Sequence, residues 1–286
     1  MEQSTKGLQI ERISKAALPA NRGLNHSARL VVDPAEYQQQ SPFLLLAEDW
    51  FAPPAGFPTH PHRGIETVTI ALEGELQHAD HTGARGNLRE GDVQFMTAGS
   101  GIMHSELPGT RGVHSLQLWL NLPAAQKMAQ PRYQDVQRSS SAHIPFEGGQ
   151  MWLYSGEVAG KTMPFVSLWP LTLIDIELEA GSAISIDIPA RVRSFVYVLE
   201  GSIGIPDDPS SAAKDEILWF ARAGEEGNIA HLLAGEGRAA RAILYAAEPI
   251  DEPVVFGGPF VMNSQKEIEE AFMDLRQGKL TDRAPS

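Results

Sequence analysis

Two short patterns restrict this chain more than anything else in it: His60-Pro61-His62 and His104-Ser105-Glu106. Each has the i, i+2 spacing that places both side chains on one face of a β-strand. Strand-like segments and glycine-rich turns lie between the pairs. The two can meet only if the chain folds back on itself, as it would in a small barrel. Three imidazoles and a carboxylate would then converge on one point, which is the donor set of a metal site.

The neighbouring sequence supplies the strands. Phe43-Leu44-Leu45-Leu46-Ala47 reads as a strand buried on both faces, and Pro53, Pro54 and Gly56 break the pattern just before the first pair. Residues 67–72 are β-rich, Glu73-Gly74 reads as a turn into Glu75-Leu76-Gln77-His78, and residues 91–96 form another short strand. After the second pair, Val113, Leu116, Leu118 and Leu120 alternate with polar His114, Gln117 and Asn121. Many short strands separated by turn signals predict an all-β sandwich or barrel. Residues 136–150, VQRSSSAHIPFEGGQ, are rich in Ser and Gly and read as a linker. The expected domains are therefore 1–135 and 151–286. Strand-like segments resume at residues 151–154, at Phe165-Val166-Ser167-Leu168, and at 171–178.

The second half echoes the first. Thr67-Val68-Thr69-Ile70-Ala71-Leu72-Glu73-Gly74 is similar to Ser194-Phe195-Val196-Tyr197-Val198-Leu199-Glu200-Gly201, an offset of 127 between the Leu-Glu-Gly triplets. That offset carries His60 onto Asp187, His62 onto Pro189, His104 onto His231 and Glu106 onto Leu233. The repeat keeps the strand pattern and loses most of the donors, so one metal site is expected, in the first half. The chain closes differently. Ser264 and Glu267 form a capping box, Ile268, Ala271, Phe272 and Leu275 share one helical face, and Gly278 sits at the stop.

Composition excludes several classes. There is no cysteine, so any metal must be held by nitrogen and oxygen. Lys and Arg total 23 against 36 Asp and Glu, a net charge of −13, which argues against nucleic acid as a partner. No apolar run reaches membrane-spanning length, and residues 1–23 lack the apolar core of a secretory signal. A cytoplasmic protein is expected.

Within the site, Glu66 rivals Glu106 as the carboxylate. It lies four residues after His62, where strand parity keeps it on the same side, although it could instead orient an imidazole or pair with Arg63. His78, His81 and His114 read as exposed or structurally satisfied histidines, and Met96 and Met103 as apolar wall.

At these residues the chain resembles the pirin family of the cupin superfamily. The matching pieces are GFPTHPHRGIETVT, LEGE, GDVQFMTAGSGIMHSE and EPVVFGGPFVMNS followed by a helix. The resemblance implies a bicupin, two tandem β-barrels with a C-terminal α-helix, the metal in the first barrel alone. It implies that His60, His62, His104 and Glu106 bind the ion, with Glu106 favoured over Glu66. It also implies Fe(II), while Ni, Cu, Mn, Co or Zn would suit the same donors. Phe95 stands where the family often has Trp. The activity implied is of the quercetin 2,3-dioxygenase type, opening the ring of a flavonol-like aromatic substrate with Glu106 as catalytic base. The alternative implied is a metal- or redox-responsive regulator that binds a protein partner.

Overall fold

Two long strands, Ile65–Asp80 and Ile102–Asn121, organise the first of two β-units. The computed structural model describes residues 7–164, 167–225 and 228–282. Ile65–Asp80 pairs antiparallel with Ile102–Asn121 along nearly its whole length. The pairing is interrupted by bulges between Ala71 and Glu73 and between Gly74 and Leu76. Bulges bend and twist a strand, and here they let each long strand serve two parts of the wall. The expected turn at Glu73-Gly74 is such a bulge within a continuous strand. Gly74 has φ +78°, and a Cβ there would lie 2.1 Å from the carbonyl oxygen of Gly112, so only glycine fits the corner. On either side the sheet continues through Val93–Thr97 and Arg132–Val136, and through Phe43–Phe51, His26–Val32 and Ala20–Gly23. Phe57–His62 pairs with the front half of Ile102–Asn121, which sets the first His pair against the second.

The other unit has a sheet running Ile10–Lys15, Glu216–Phe220, Arg193–Glu200, Ala240–Ala247, Leu171–Leu178, Gly149–Val158, Ala142–Phe146. A second sheet contains Ala183–Ile188, Asn228–Ala234, Ser202–Gly204 and Ser211–Ala213. Between them lies an aliphatic core that includes Ile174, Ile176, Ile186, Val196, Val198, Leu218, Leu232 and Leu244. Each such side chain contributes about 1.5–3 kcal/mol on leaving water.

The units are not the two consecutive halves expected from the sequence. The first comprises the described residues of Leu18–Arg138, Ser167–Trp169 and Ile250–Ser286, and the second those of Met1–Ala17, Ser139–Val166 and Pro170–Pro249. Ile10–Lys15 is hydrogen-bonded to Glu216–Phe220, so the chain's beginning belongs with the second unit. The helix Gln265–Arg276 belongs with the first. Within the expected linker, Ala142–Phe146 pairs with Gly149–Val158 of the second unit. Of the strand expected at 165–168, Phe165 and Val166 lie outside the described residues, and Ser167 and Leu168 form a bend.

The offset reading of the repeat also shifts. Opposite His231 stands Ser185, and its Oγ lies 2.8 Å from His231 Nδ1. The buried residues of that strand are Ala230, Leu232 and Ala234, whereas in the first unit they are Ile102, His104 and Glu106. The inward register is one residue later than the triplet alignment gives, so Leu232 and Ala234, not His231 and Leu233, occupy the His104 and Glu106 positions. Ile184 faces Leu232 and Ile186 faces Ala230, just as His60 faces His104 and His62 faces Ile102. All four donor positions in the second unit are aliphatic.

Candidate metal centre

His60 and His62 come from Phe57–His62, and His104 and Glu106 from the strand beside it. One extra residue is accommodated between Phe57 and His60, after which His60 pairs with His104. The ring centroids are 4.3 Å apart for His60 and His104, 4.9 Å for His60 and His62, and 5.1 Å for His62 and His104. One nitrogen from each ring lies within 4.8 Å of the other two. That group does not include Glu106.

Hydrogen bonds preset two of the rings. His60 Nδ1 lies 2.9 Å from the Pro58 carbonyl and His62 Nδ1 lies 3.3 Å from the Pro259 carbonyl. A carbonyl only accepts, so each Nδ1 carries the hydrogen and each Nε2 keeps its lone pair. His62 is 2% and His104 1% exposed. His62 Nε2 and both nitrogens of His104 are buried without a hydrogen-bond partner. An orphaned buried polar atom costs about 1–3 kcal/mol. Burial and the neighbouring imidazoles push His62 down to about 3 and His104 to about 2, so both rings are neutral at physiological pH. Desolvated imidazole nitrogens gathered within 4.8 Å of one another, two of the rings neutral, fit a transition-metal ion. The residues present therefore suit the group that the sequence implied.

Glu106 is buried beside the triad. Gln117 Nε2 donates to its Oε1 at 2.9 Å and to Thr69 Oγ1 at 3.1 Å, while Gln117 Oε1 accepts from Trp119 Nε1 at 3.3 Å. Trp119 in turn meets His62 edge to face at 5.0 Å. Burial first, then the negative charge of Asp49, pushes Glu106 up to about 7 against the opposing Gln117 hydrogen bond. Asp49 is itself held by His26 Nε2 at 2.7 Å.

Glu66 is occupied elsewhere. Thr97 Oγ1 donates to it at 2.5 Å, and the Leu168 amide lies 3.1 and 3.0 Å from its two oxygens. Its role is to anchor the 167–169 bend. His78 is buried, stacks on Tyr133 at 5.0 Å, and places Nε2 3.4 Å from Asp135 Oδ2. His114 Nε2 lies 2.8 Å from Glu48 Oε1. His114 is thus satisfied structurally, whereas His78 Nδ1 is buried without a hydrogen-bond partner. Met96 is fully buried in an apolar cluster with Ile65 and Ile102.

Sequence reasoning missed Gln117, Trp119 and Pro259. The first two belong to the alternating stretch read at residues 113–122, where the non-leucine face is the one that turns to the site. Pro259 has no local signal, being 197 residues from His62.

A chain with two β-units of this type and, among the described residues, one imidazole triad is a bicupin with a candidate metal centre in its first barrel. Residues 18–120 match the family model described as pirin, and residues 173–281 match the pirin C-terminal cupin domain. The chain belongs to the pirin family. It is 40% identical over 264 residues to a pirin-like protein of Arabidopsis thaliana, covering 89% of this chain and 84% of that one. To human pirin it is 37% identical over 262 residues, covering 91% and 89%. Among solved structures it is similar to a quercetin 2,3-dioxygenase from Acinetobacter baumannii, with a TM-score of 0.85, 29% identity, and coverage of 96% and 98%. Among the described residues no helix is long and apolar enough to cross a membrane.

Proposed function

We propose that the protein is a metal-dependent dioxygenase of the quercetin 2,3-dioxygenase type, with His60, His62, His104 and Glu106 around one Fe(II) and a flavonol-like aromatic as substrate. The observation that carries this reading is the convergence of three imidazoles, two of them buried and neutral, beside a buried carboxylate. The likeness to the Acinetobacter enzyme supports the choice of reaction.

Bound at the triad, the ion would supply Lewis acidity to a substrate hydroxyl and redox contact with dioxygen. Glu106 receives the proton of the flavonol 3-hydroxyl. Gln117 fixes one carboxylate oxygen, and a base of near-neutral strength suits proton transfer at physiological pH. Phe57, 6.1 Å from the His60 ring, and Trp119, 5.0 Å from His62, offer apolar faces to a planar ring. His60 is the most exposed of the three imidazoles, so substrate approaches from its side.

Aerobic turnover of quercetin by the iron-loaded protein tests the proposal, read as loss of the flavonol with uptake of dioxygen and release of carbon monoxide. Glu106→Gln is expected to lower turnover by about 10²–10⁴, the range for a lost general base, while the three imidazoles still retain metal. Absence of turnover with every first-row metal would refute the quercetin dioxygenase reading, and together with a specific protein partner would favour the metal-responsive regulator.

A further inference from the structure

The C-terminal segment reaches the first His pair through a dense set of buried contacts. The hairpin of Val255–Gly257 and Phe260–Met262 carries the Pro259 carbonyl that receives His62 Nδ1–H. Two residues after Pro259, the Val261 amide donates to the Arg63 carbonyl at 3.1 Å. The Arg63 side chain is 1% exposed and its guanidinium is fully engaged. Nε donates to Ser100 O at 2.6 Å, Nη1 to Asp274 Oδ2 at 2.8 Å, and Nη2 to Leu280 O at 3.2 Å. Lys127 Nζ, also buried, donates to Gly64 O at 2.9 Å, Val261 O at 3.0 Å and Asn121 Oδ1 at 2.7 Å.

Two glycines permit this approach. A Cβ on Gly64 would lie 2.1 Å from Val261 O, and one on Gly101 would lie 2.3 Å from Leu280 O. Gly64 follows the first His pair and Gly101 precedes the second. The C-terminal segment is thus seated on the roots of both donor strands. Its packing onto the barrel is apolar as well, through Phe260, Met262, Ile268, Ala271 and Leu280 with Met103. Apolar contact alone would hold the helix in place. It would not call for a buried guanidinium adjacent in sequence to a metal-facing histidine.

We propose that Asp274 and Arg63 are positioning residues of the metal centre: their ion pair seats the C-terminal hairpin so that the Pro259 carbonyl fixes the His62 tautomer and ring orientation. The proposal rests on His62 being a metal ligand. Partners that orient a liganding imidazole typically set affinity by about 10–100-fold, and they act without touching the ion.

Cobalt(II) titration of the full-length, metal-free protein tests this, monitored by visible absorption and paired with thermal unfolding of the same samples. Asp274→Asn keeps the side chain's shape and removes its charge. Val198→Ala trims the aliphatic core of the second unit and serves as a variant that is destabilised without touching the hairpin. Asp274→Asn is expected to bind cobalt about 10–100-fold more weakly, with an altered ligand-field spectrum, while Val198→Ala unfolds earlier and binds as wild type. Asp274→Glu, which restores the charge, recovers part of the affinity. Wild-type cobalt affinity and spectrum in Asp274→Asn, with only a lowered Tm, would reduce the ion pair to packing and overturn the proposal. If the wild-type protein itself takes up no cobalt, the metal reading fails first.

Discussion

Glu66 and Glu106 are both buried glutamates of one barrel, and they differ in their partners. Glu66 accepts from Thr97 and the Leu168 amide, so both its oxygens are spoken for. Glu106 accepts from Gln117 at one oxygen only and stands two residues from His104. Spacing alone left both candidates open, because strand parity puts each on the site side. What sets them apart is a bend 102 residues from Glu66 that takes up its oxygens, which no local pattern announces. The three histidines were legible for the opposite reason: i, i+2 pairs fix a common face whatever else the chain does.

The same residues set a pH dependence in the metal-free protein. His62 and His104 lie well below their ordinary 6.5. From about pH 3 to 6.5 the unfolded chain binds protons there that the folded protein does not, so their contribution to stability rises with pH. Glu106 acts in the opposite sense, being raised from 4.5 to about 7. Its protonated form is favoured by the fold, a contribution full below 4.5 and lost as pH rises through 7. After chelation, the Tm of Glu106→Gln should therefore gain on that of wild type between pH 4.5 and 7 and run parallel to it above. A difference independent of pH over that window would contradict the buried, desolvated Glu106.

At the scale of elements, strand identity was readable and strand register was not. The apolar run at residues 43–47 lies in the strand Phe43–Phe51, and the alternation at 113–122 lies in the second half of Ile102–Asn121. The helix followed from its cap, since the Glu267 amide donates to Ser264 Oγ at 3.3 Å. Bulges escaped notice. Glu73-Gly74 looked like a turn because a bulge and a turn both use glycine at positive φ. The one-residue shift that replaces His231 by Leu232 is invisible to a triplet alignment. Glycine is required most sharply at Gly64, where φ is +79° and Val261 O would meet a Cβ at 2.1 Å. Gly64→Ala should lower stability by about 1–3 kcal/mol, the range for a side chain forced into a strained backbone region, as measured by urea unfolding. A loss below about 0.5 kcal/mol, usual for an unconstrained surface position, would show that the hairpin does not sit where described.

The whole molecule divides its labour between a polar barrel and an aliphatic one. The first unit brings His60, His62 and His104 together, with Glu106 on the same strand as His104 and hydrogen-bonded to Gln117, and the second fills the corresponding positions with Ile184, Ile186, Leu232 and Ala234. The sequence showed the duplication and the loss of donors in its second copy. It did not show that the chain's ends are assigned crosswise, because strand pairing of Ile10–Lys15 and packing of the C-terminal helix depend on partners some two hundred residues away. The expected domain boundaries followed composition, and the observed ones follow hydrogen bonds.

Metal content per chain, measured on wild type, His62→Ala and His231→Ala loaded with iron under anaerobic conditions, tests the central claim most directly. One ion per chain is expected in wild type and in His231→Ala, and none retained in His62→Ala. Two ions in wild type, or an undiminished ion in His62→Ala, would contradict a single centre built on the triad.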